Sequence, residues 1–377
     1  MIYLDNAATS YPKPKSVYSE VVNCMKSYAA NPGRSSHNLA LNASSKVAET
    51  REEISKLFNI DNPLNIVFTS NATEGLNIAI KGLLKPSDHV ISTVIEHNSV
   101  LRPLKSATNH GVEVTLLRVD EEGKINFNAL EREVRKNTKA VIINHASNVL
   151  GTVQHIEKIG NFTKSKGIFF LVDASQSAGV IPIDVKKCNI DLLAFPGHKG
   201  LLGLQGTGGL YIGPNIDIDF FIEGGTGSNS NSMEQPKFLP DKFESGTLNT
   251  PGIAGLCEGI KFIKKIGIKN IEKHELMLTE QLLKELNKLS FVKIYGPKAI
   301  ENRTSVVSIN IIGMDSSKVS YILNKNNIAV RDGYHCAPLI HEIIKTKENG
   351  TVRISPGYFN THKDIEAAIN VLKKIND

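Results

Sequence analysis

The sequence predicts an α/β protein with a large, mostly parallel sheet domain and a smaller α+β domain at its C-terminal side. Three observations carry this. Short, nearly continuous apolar runs alternate with helical patterns through the middle of the chain. The texture changes after Gly252, and 377 residues are more than one minimal domain requires.

The strands come first. Residues 66–70, 89–95, 112–119, 140–145, 169–173, 192–195 and 209–212 are short and rich in β-branched side chains. Runs with almost no polar interruption suit a sheet covered on both faces. Between them, 73–84, 99–109, 126–134 and 156–166 carry helical spacing, and strands alternating with helices imply parallel pairing. After Gly252, two long amphipathic helices are expected at 253–265 and 271–288. Strands at 292–295 and 305–311, a helix at 316–324, strands at 328–332 and 351–355 and a helix from Lys363 follow. The stretch 223–235 is glycine-rich and polar, which reads either as a surface loop or as a lid over a site.

Composition narrows the function. Apolar residues make up 41% and charged residues 22%, ordinary values for a soluble globular protein. The net charge of +6 is spread along the chain. Pairs such as Lys264-Lys265 and Lys373-Lys374 read as solvated helix faces, so no nucleic-acid partner is expected. Cys24, Cys188, Cys257 and Cys336 are widely spaced and form no C-x-x-C pair, which argues against a disulfide scaffold and a zinc site. No apolar run approaches the ~20 residues of a membrane span, and residues 1–8 do not read as a secretory signal. The expectation is a cytoplasmic protein without a bound metal.

Three constellations carry chemistry. The strand at 169–173 ends in Asp173-Ala174-Ser175-Gln176, and the next ends in Pro196-Gly197-His198-Lys199. Ligands of open α/β sheets bind at strand ends. A carboxyl group and an amine on adjacent ends form the pair that pyridoxal-phosphate (PLP) chemistry needs: the amine for the aldehyde, the carboxylate for the ring nitrogen. A surface lysine and a helix-capping aspartate are the alternative. The segment 69–75 (T-S-N-A-T-E-G) joins a strand to a helix, which suits a phosphate or an ordinary N-cap by Ser70 or Asn71. The glycines at 197, 200, 203 and 206 do not form a dinucleotide fingerprint. The third is 331–338 (R-D-G-Y-H-C-A-P), where a histidine and an arginine give Cys336 an electropositive setting; a buried structural cysteine is the plainer reading. Arg353 is a candidate carboxylate clamp or a surface ion-pair partner.

Taken together, the chain resembles the class V aminotransferase family, in its cysteine desulfurase and selenocysteine lyase branch. The resemblance runs in order through residues 3–9, 69–77, 96–99, 145–152, 173–176, 197–199, 243–247, 331–338 and 353–361. It implies a PLP-dependent transferase of fold type I, aspartate-aminotransferase-like, with a seven-stranded type of sheet. Residues 15–251 would form the PLP-binding domain, and 1–14 with 252–377 the smaller one. It also implies a homodimer, with Gly246 and Thr247 reaching into the partner's site.

By position, Lys199 would bind PLP covalently, Asp173 would pair with the pyridine nitrogen, Gln176 with the ring oxygen, and His97 would stack on the ring. Ala72, Thr73 and His198 would hold the phosphate. Pro196 replaces the usual Ser or Thr before G-H-K, which throws more of the phosphate binding onto Ser175, Thr73 and backbone groups. Asn148 and Arg353 would bind the substrate carboxylate, with Asn6, Ala7, Ala8 and Arg331 lining the pocket. Cys336 would accept sulfur from L-cysteine, or selenium chemistry from L-selenocysteine, releasing alanine. The resulting persulfide would serve an acceptor protein or a reductant, as in iron–sulfur cluster assembly. An aminotransferase or epimerase of the same family, or a non-catalytic PLP-binding sulfur relay, are the rival readings.

Overall fold

The computed structural model describes residues 1–33, 35–214 and 216–375. Its centre is a seven-stranded sheet. In spatial order the strands are Ile66–Thr69, Gly208–Ile212, Leu192–Pro196, Phe169–Asp173, Thr138–Asn144, His89–Thr93 and Glu113–Leu117. The last five pair in parallel, and Gly208–Ile212 runs antiparallel to both of its neighbours.

Successive side chains on a strand point to opposite faces. Phe170 and Val172 therefore join one core, and Leu171 the other. Both faces are covered, so polar residues are few in the strand interiors and the runs read as nearly continuous; Ser92, one of the exceptions, is buried and donates to the Ile142 carbonyl. Helices Ala72–Leu83 and Asn98–Thr108 close one face. Asn38–Phe58, Ile156–Lys166 and Thr250–Ile266 close the other. Asn38–Phe58 and the preceding Lys15–Ser27 are long helices that the sequence reading left unassigned. They carry few bulky apolar residues; Asn38–Phe58 buries Ala40, Ala43, Thr50 and Ser55, which weakens the apolar stripe.

The smaller unit is a four-stranded antiparallel sheet, ordered Arg331–Gly333, Thr351–Ile354, Val307–Ile311, Val292–Tyr295. Helices Ile268–Leu286, Ser316–Lys325 and His362–Lys373 pack on it. The single strand expected at 328–332 is two strands in two sheets. Ile328–Ala329 pairs in parallel with Ile2–Tyr3, and Arg331–Gly333 then pairs with Thr351–Ile354. This carries the N-terminus onto the small unit, where Leu4 joins its core. The 223–235 loop is fastened at its base by Gln235, which accepts from the Gly224 N–H and donates to Ser245 Oγ.

Candidate active site

The parallel register sets the site. Asp173 is the last residue of its strand and lies opposite Ala194; the neighbouring strand ends at Pro196, three residues before Lys199. Asp173 and Lys199 thus leave the same edge of the sheet, and both line one cavity with Thr73, His97 and Pro196. Asp173 is 3% exposed. Its Oδ1 accepts the Ser175 N–H at 2.9 Å, and it makes no ion pair among the described residues. Burial, and then the positive charge of Arg353, hold the Lys199 amine down to about 8. That leaves about a tenth of the amine neutral at pH 7, far more than an ordinary lysine offers, as a nucleophilic amine requires.

The peptide before Lys199 is fixed by the N-terminal segment. The His198 carbonyl accepts from the Ser10 N–H at 3.2 Å, Thr9 Oγ1 at 3.1 Å and Lys13 Nζ at 2.6 Å. Ser10 Oγ donates to the Lys199 carbonyl at 2.9 Å. His198 Nδ1 meets Thr9 Oγ1 at 3.0 Å, and burial holds its ring down to about 4.

His97 caps the helix Asn98–Thr108. Its Nδ1 accepts the Ser99 N–H at 3.1 Å, so the proton of the neutral ring sits on Nε2. Burial holds this ring down to about 4, despite the raising effect of Asp173. At the facing helix, Asn71 is the N-cap, its Oδ1 accepting the Glu74 N–H at 2.9 Å. Ala72 and Thr73 begin that helix, so their N–H groups have no intrahelical acceptor. Cap and anion-binding geometry coexist there.

The third group comes from the small unit. Arg331 and Arg353 lie directly opposite each other on adjacent strands. Like charges in that register are unfavourable unless anions lie between them. Arg353 is 1% exposed; its Nη2 donates to Asp5 Oδ1 at 2.8 Å and its Nη1 to the Asn148 carbonyl at 3.1 Å, while its buried Nε has no partner among the described residues. Arg331 Nη2 lies 3.6 Å from Cys336 Sγ. His335 and Cys336 are both in the left-handed region, at φ 51° and 59°, where non-glycine residues are uncommon. The strain is held by the Asn98 N–H donating to the Cys336 carbonyl at 2.7 Å and Asn148 Nδ2 donating to the His335 carbonyl at 2.6 Å.

One expectation is corrected. His335 does not help make the thiol's setting electropositive. Its Nε2 faces Thr351, at 3.0 Å from Oγ1, and burial pushes its ring down to about 2, so it stays neutral. The nearby cation is Arg331.

Several other assigned residues are engaged within the protein. Gln176 Nε2 donates to the Ala7 carbonyl at 3.0 Å, and Asn6 Nδ2 to the Ser355 carbonyl at 3.1 Å. Asn6, Ala7, Ser175 and Gln176 line a second cavity that Lys199 also borders. Ala8 sits in a turn, its N–H donating to the Asp5 carbonyl. Gly246 and Thr247 are exposed and lie outside the cavity of their own chain. Asp5, Ser99, Ser10 and Lys13 were given no role from sequence. Asp5 and Ser99 fall inside segments that carry the family resemblance, and that was the only signal for them.

With this geometry in place, comparison with known proteins is decisive for family. The model of the class-V aminotransferase family matches residues 2–368, and the chain belongs to that family. A probable cysteine desulfurase of Methanothermobacter thermautotrophicus is 37% identical, over 99% of this chain and 94% of the relative. A cysteine desulfurase of Haloferax volcanii is 30% identical, over 99% and 88%. The apo structure of a cysteine desulfurase from Thermococcus onnurineus NA1 superposes with a TM-score of 0.94 at 34% identity, covering 99% of this chain and 94% of that one.

Proposed function

We propose that the protein is a PLP-dependent cysteine desulfurase that converts L-cysteine to L-alanine and takes the sulfur onto Cys336. The observation that carries it is the convergence of Lys199, Asp173 and His97 on one cavity, whose wall of Thr73, His97 and Ser99 is shared with the cleft that Cys336 lines beside Arg331.

The residues fit PLP. A buried carboxyl group without a cation, an amine held near 8 and two free helix N–H groups are the parts such a cofactor needs. Asp173 would hold the ring nitrogen, Lys199 the aldehyde carbon, His97 the ring face, and Ala72, Thr73, Ser175 and His198 the phosphate. Gln176 would reach the ring oxygen by releasing Ala7. When bound, PLP supplies an electron sink for negative charge developing at the substrate Cα.

The chain's own groups do the rest. Arg353 would bind the substrate carboxylate through its free Nε and an Nη donor, with Asn148 and Asn6 to Ala8 completing the pocket. The Lys199 amine would move the Cα proton. Arg331, whose Nη2 lies 3.6 Å from Sγ, would orient the Cys336 sulfur. The Cys336 thiolate attacks the substrate sulfur: an S–S bond forms, the Cβ–S bond breaks, and its electron pair stays on the carbon fragment, which is protonated and leaves as alanine. His97 Nε2–H would donate a proton during release.

We further propose a homodimer, in which the exposed Gly246 and Thr247 complete the partner's phosphate site. A cytoplasmic setting belongs to the same proposal, as does a large domain that starts at residue 15 and runs past 251 to take in the helix Thr250–Ile266, which covers its sheet. Among the described residues no helix is long and apolar enough to cross a membrane.

The test uses two variants. Lys199→Ala is expected to lose the yellow PLP absorption and all turnover. Cys336→Ala is expected to keep the colour and lose sulfur release from cysteine. Full cysteine activity in Cys336→Ala would overturn the reading; retained activity on selenocysteine alone would favour a selenocysteine lyase.

A further inference from the structure

Cys336 lines a third space, a cleft distinct from the two cavities that Lys199 borders. The cleft has a volume of about 330 Å³ and lies against the helices Ala72–Leu83 and Asn98–Thr108. Thr73, His97 and Ser99 form the wall common to the cleft and the cavity that Asp173 lines. On the outer side of that wall stand Lys81 and Arg102, both exposed. Among the described residues no Asp or Glu lines the cleft, and neither cation makes an ion pair. The Lys81 amine lies 5.5 Å over the Phe221 ring, and Asn77 Nδ2 is occupied by the Thr73 carbonyl at 2.9 Å. The cleft is therefore a concave space with the Cys336 thiol in its wall and two cations that no carboxylate neutralises among the described residues.

We propose that this cleft is the sulfur-acceptor site and that it takes a small anionic thiol, of the mercaptocarboxylate class. The proposal rests on the reading that Cys336 carries a persulfide. A volume of this size is on the scale of small-molecule pockets, roughly 300 to 1,000 Å³, rather than of a folded partner's surface. Two unpaired cations concentrate an anion at the mouth and stabilise the thiolate form of the incoming thiol.

The transfer balances without an added oxidant. The acceptor thiolate attacks the outer sulfur of the Cys336 persulfide. The new S–S bond forms as the bond between Sγ and the outer sulfur breaks, and Cys336 leaves as thiolate with the electron pair. The outer sulfur keeps its proton and its oxidation level. Substrate would enter on the Lys199 side of the wall and sulfur would leave on the other, which lets the second step run without reopening the first cavity.

The experiment uses the PLP-loaded protein, charged with one equivalent of L-cysteine in the absence of reductant. Alanine and the Cys336 persulfide, read by alkylation and mass, report the first step. The persulfide is then discharged with mercaptosuccinate, 2-mercaptoethanol or cysteamine, with rates compared per thiolate. Mercaptosuccinate is expected to be the fastest. The double variant Lys81→Glu, Arg102→Glu is expected to slow mercaptosuccinate by roughly tenfold or more. Discharge by 2-mercaptoethanol and the yield of alanine should stay unchanged. Equal rates for the three thiols in the unaltered protein, or an equal loss for all three in the variant, would overturn the acceptor site. A protein that forms alanine but no persulfide on Cys336 would overturn the desulfurase chemistry beneath it, a separate and recognisable failure.

Discussion

Lys199 shows how a single residue's surroundings set its chemistry. A lysine amine ordinarily holds its proton to 10.5; here burial and Arg353 bring it to about 8. Below that value the amine is charged and cannot attack an aldehyde; above it the amine is free. The rate at which the cofactor-free protein takes up PLP should therefore rise with pH and reach half its plateau near 8, read from the growth of the yellow absorption. Arg353→Gln removes the second-largest cause of the shift, so its midpoint should move to higher pH. A midpoint unchanged by that substitution would mean that Arg353 does not act on the amine. At this scale the sequence told much about Lys199 and Asp173, because strand alternation alone puts their two strand ends side by side. It told nothing of Asp5 meeting Arg353, which stand 348 residues apart and meet only through the N-terminal strand. His335 was misread for a related reason. Adjacency to Cys336 in sequence says nothing about side-chain direction, and in the left-handed loop the ring turns towards Thr351.

At the level of elements, close packing explains several residues that carry no chemistry. Gly160 lies in the helix Ile156–Lys166, and a Cβ there would stand 1.7 Å from the Cys188 carbonyl oxygen. Both are backbone-anchored, so neither can yield without moving an element. Gly160→Ala should destabilise the fold by about 3 kcal/mol, at the upper end of ordinary overpacking, seen as a lower midpoint in urea with the slope unchanged. A midpoint equal to that of the unaltered protein would show that the helix can shift without cost. Element type was read well where one strong period ruled, as in 156–166 and 292–295, whose bounds match the observed ones. It was missed in Lys15–Ser27, which buries only Val17 and Cys24, and in Asn38–Phe58, where Ala40, Ala43, Thr50 and Ser55 interrupt the apolar face. The two strands at 328–333 read as one because the period continues through the point where the chain changes sheets.

For the molecule as a whole, the meeting of the two units is marked by Glu275. This residue lies on the helix Ile268–Leu286 of the small unit, yet it lines a cavity with Lys199 and Gln176 of the large one. It is 7% exposed, and Ser305 Oγ donates to its Oε2 at 3.2 Å. Burial lifts its carboxyl from 4.5 to about 8, against the lowering effect of that hydrogen bond. Below about 4.5 the folded and unfolded chains both hold the proton, and the group makes stability no more pH-dependent. Between 4.5 and 8 the unfolded chain has lost its proton while the folded chain retains it. Folding then binds a proton, and stability falls as pH rises, by something on the order of a few kcal/mol across the window. Above about 8 the buried group must ionise and the loss is complete. Glu275→Gln keeps the shape and the acceptor for Ser305 but cannot ionise. It should match the unaltered protein at pH 4.5 and exceed it by a few degrees in Tm at pH 8.5, roughly what a gain of a few kcal/mol gives in a chain of this size. Parallel curves of Tm against pH for the two proteins would show that Glu275 is already ionised in the folded state, with a counter-charge supplied from the Lys199 side of the cavity.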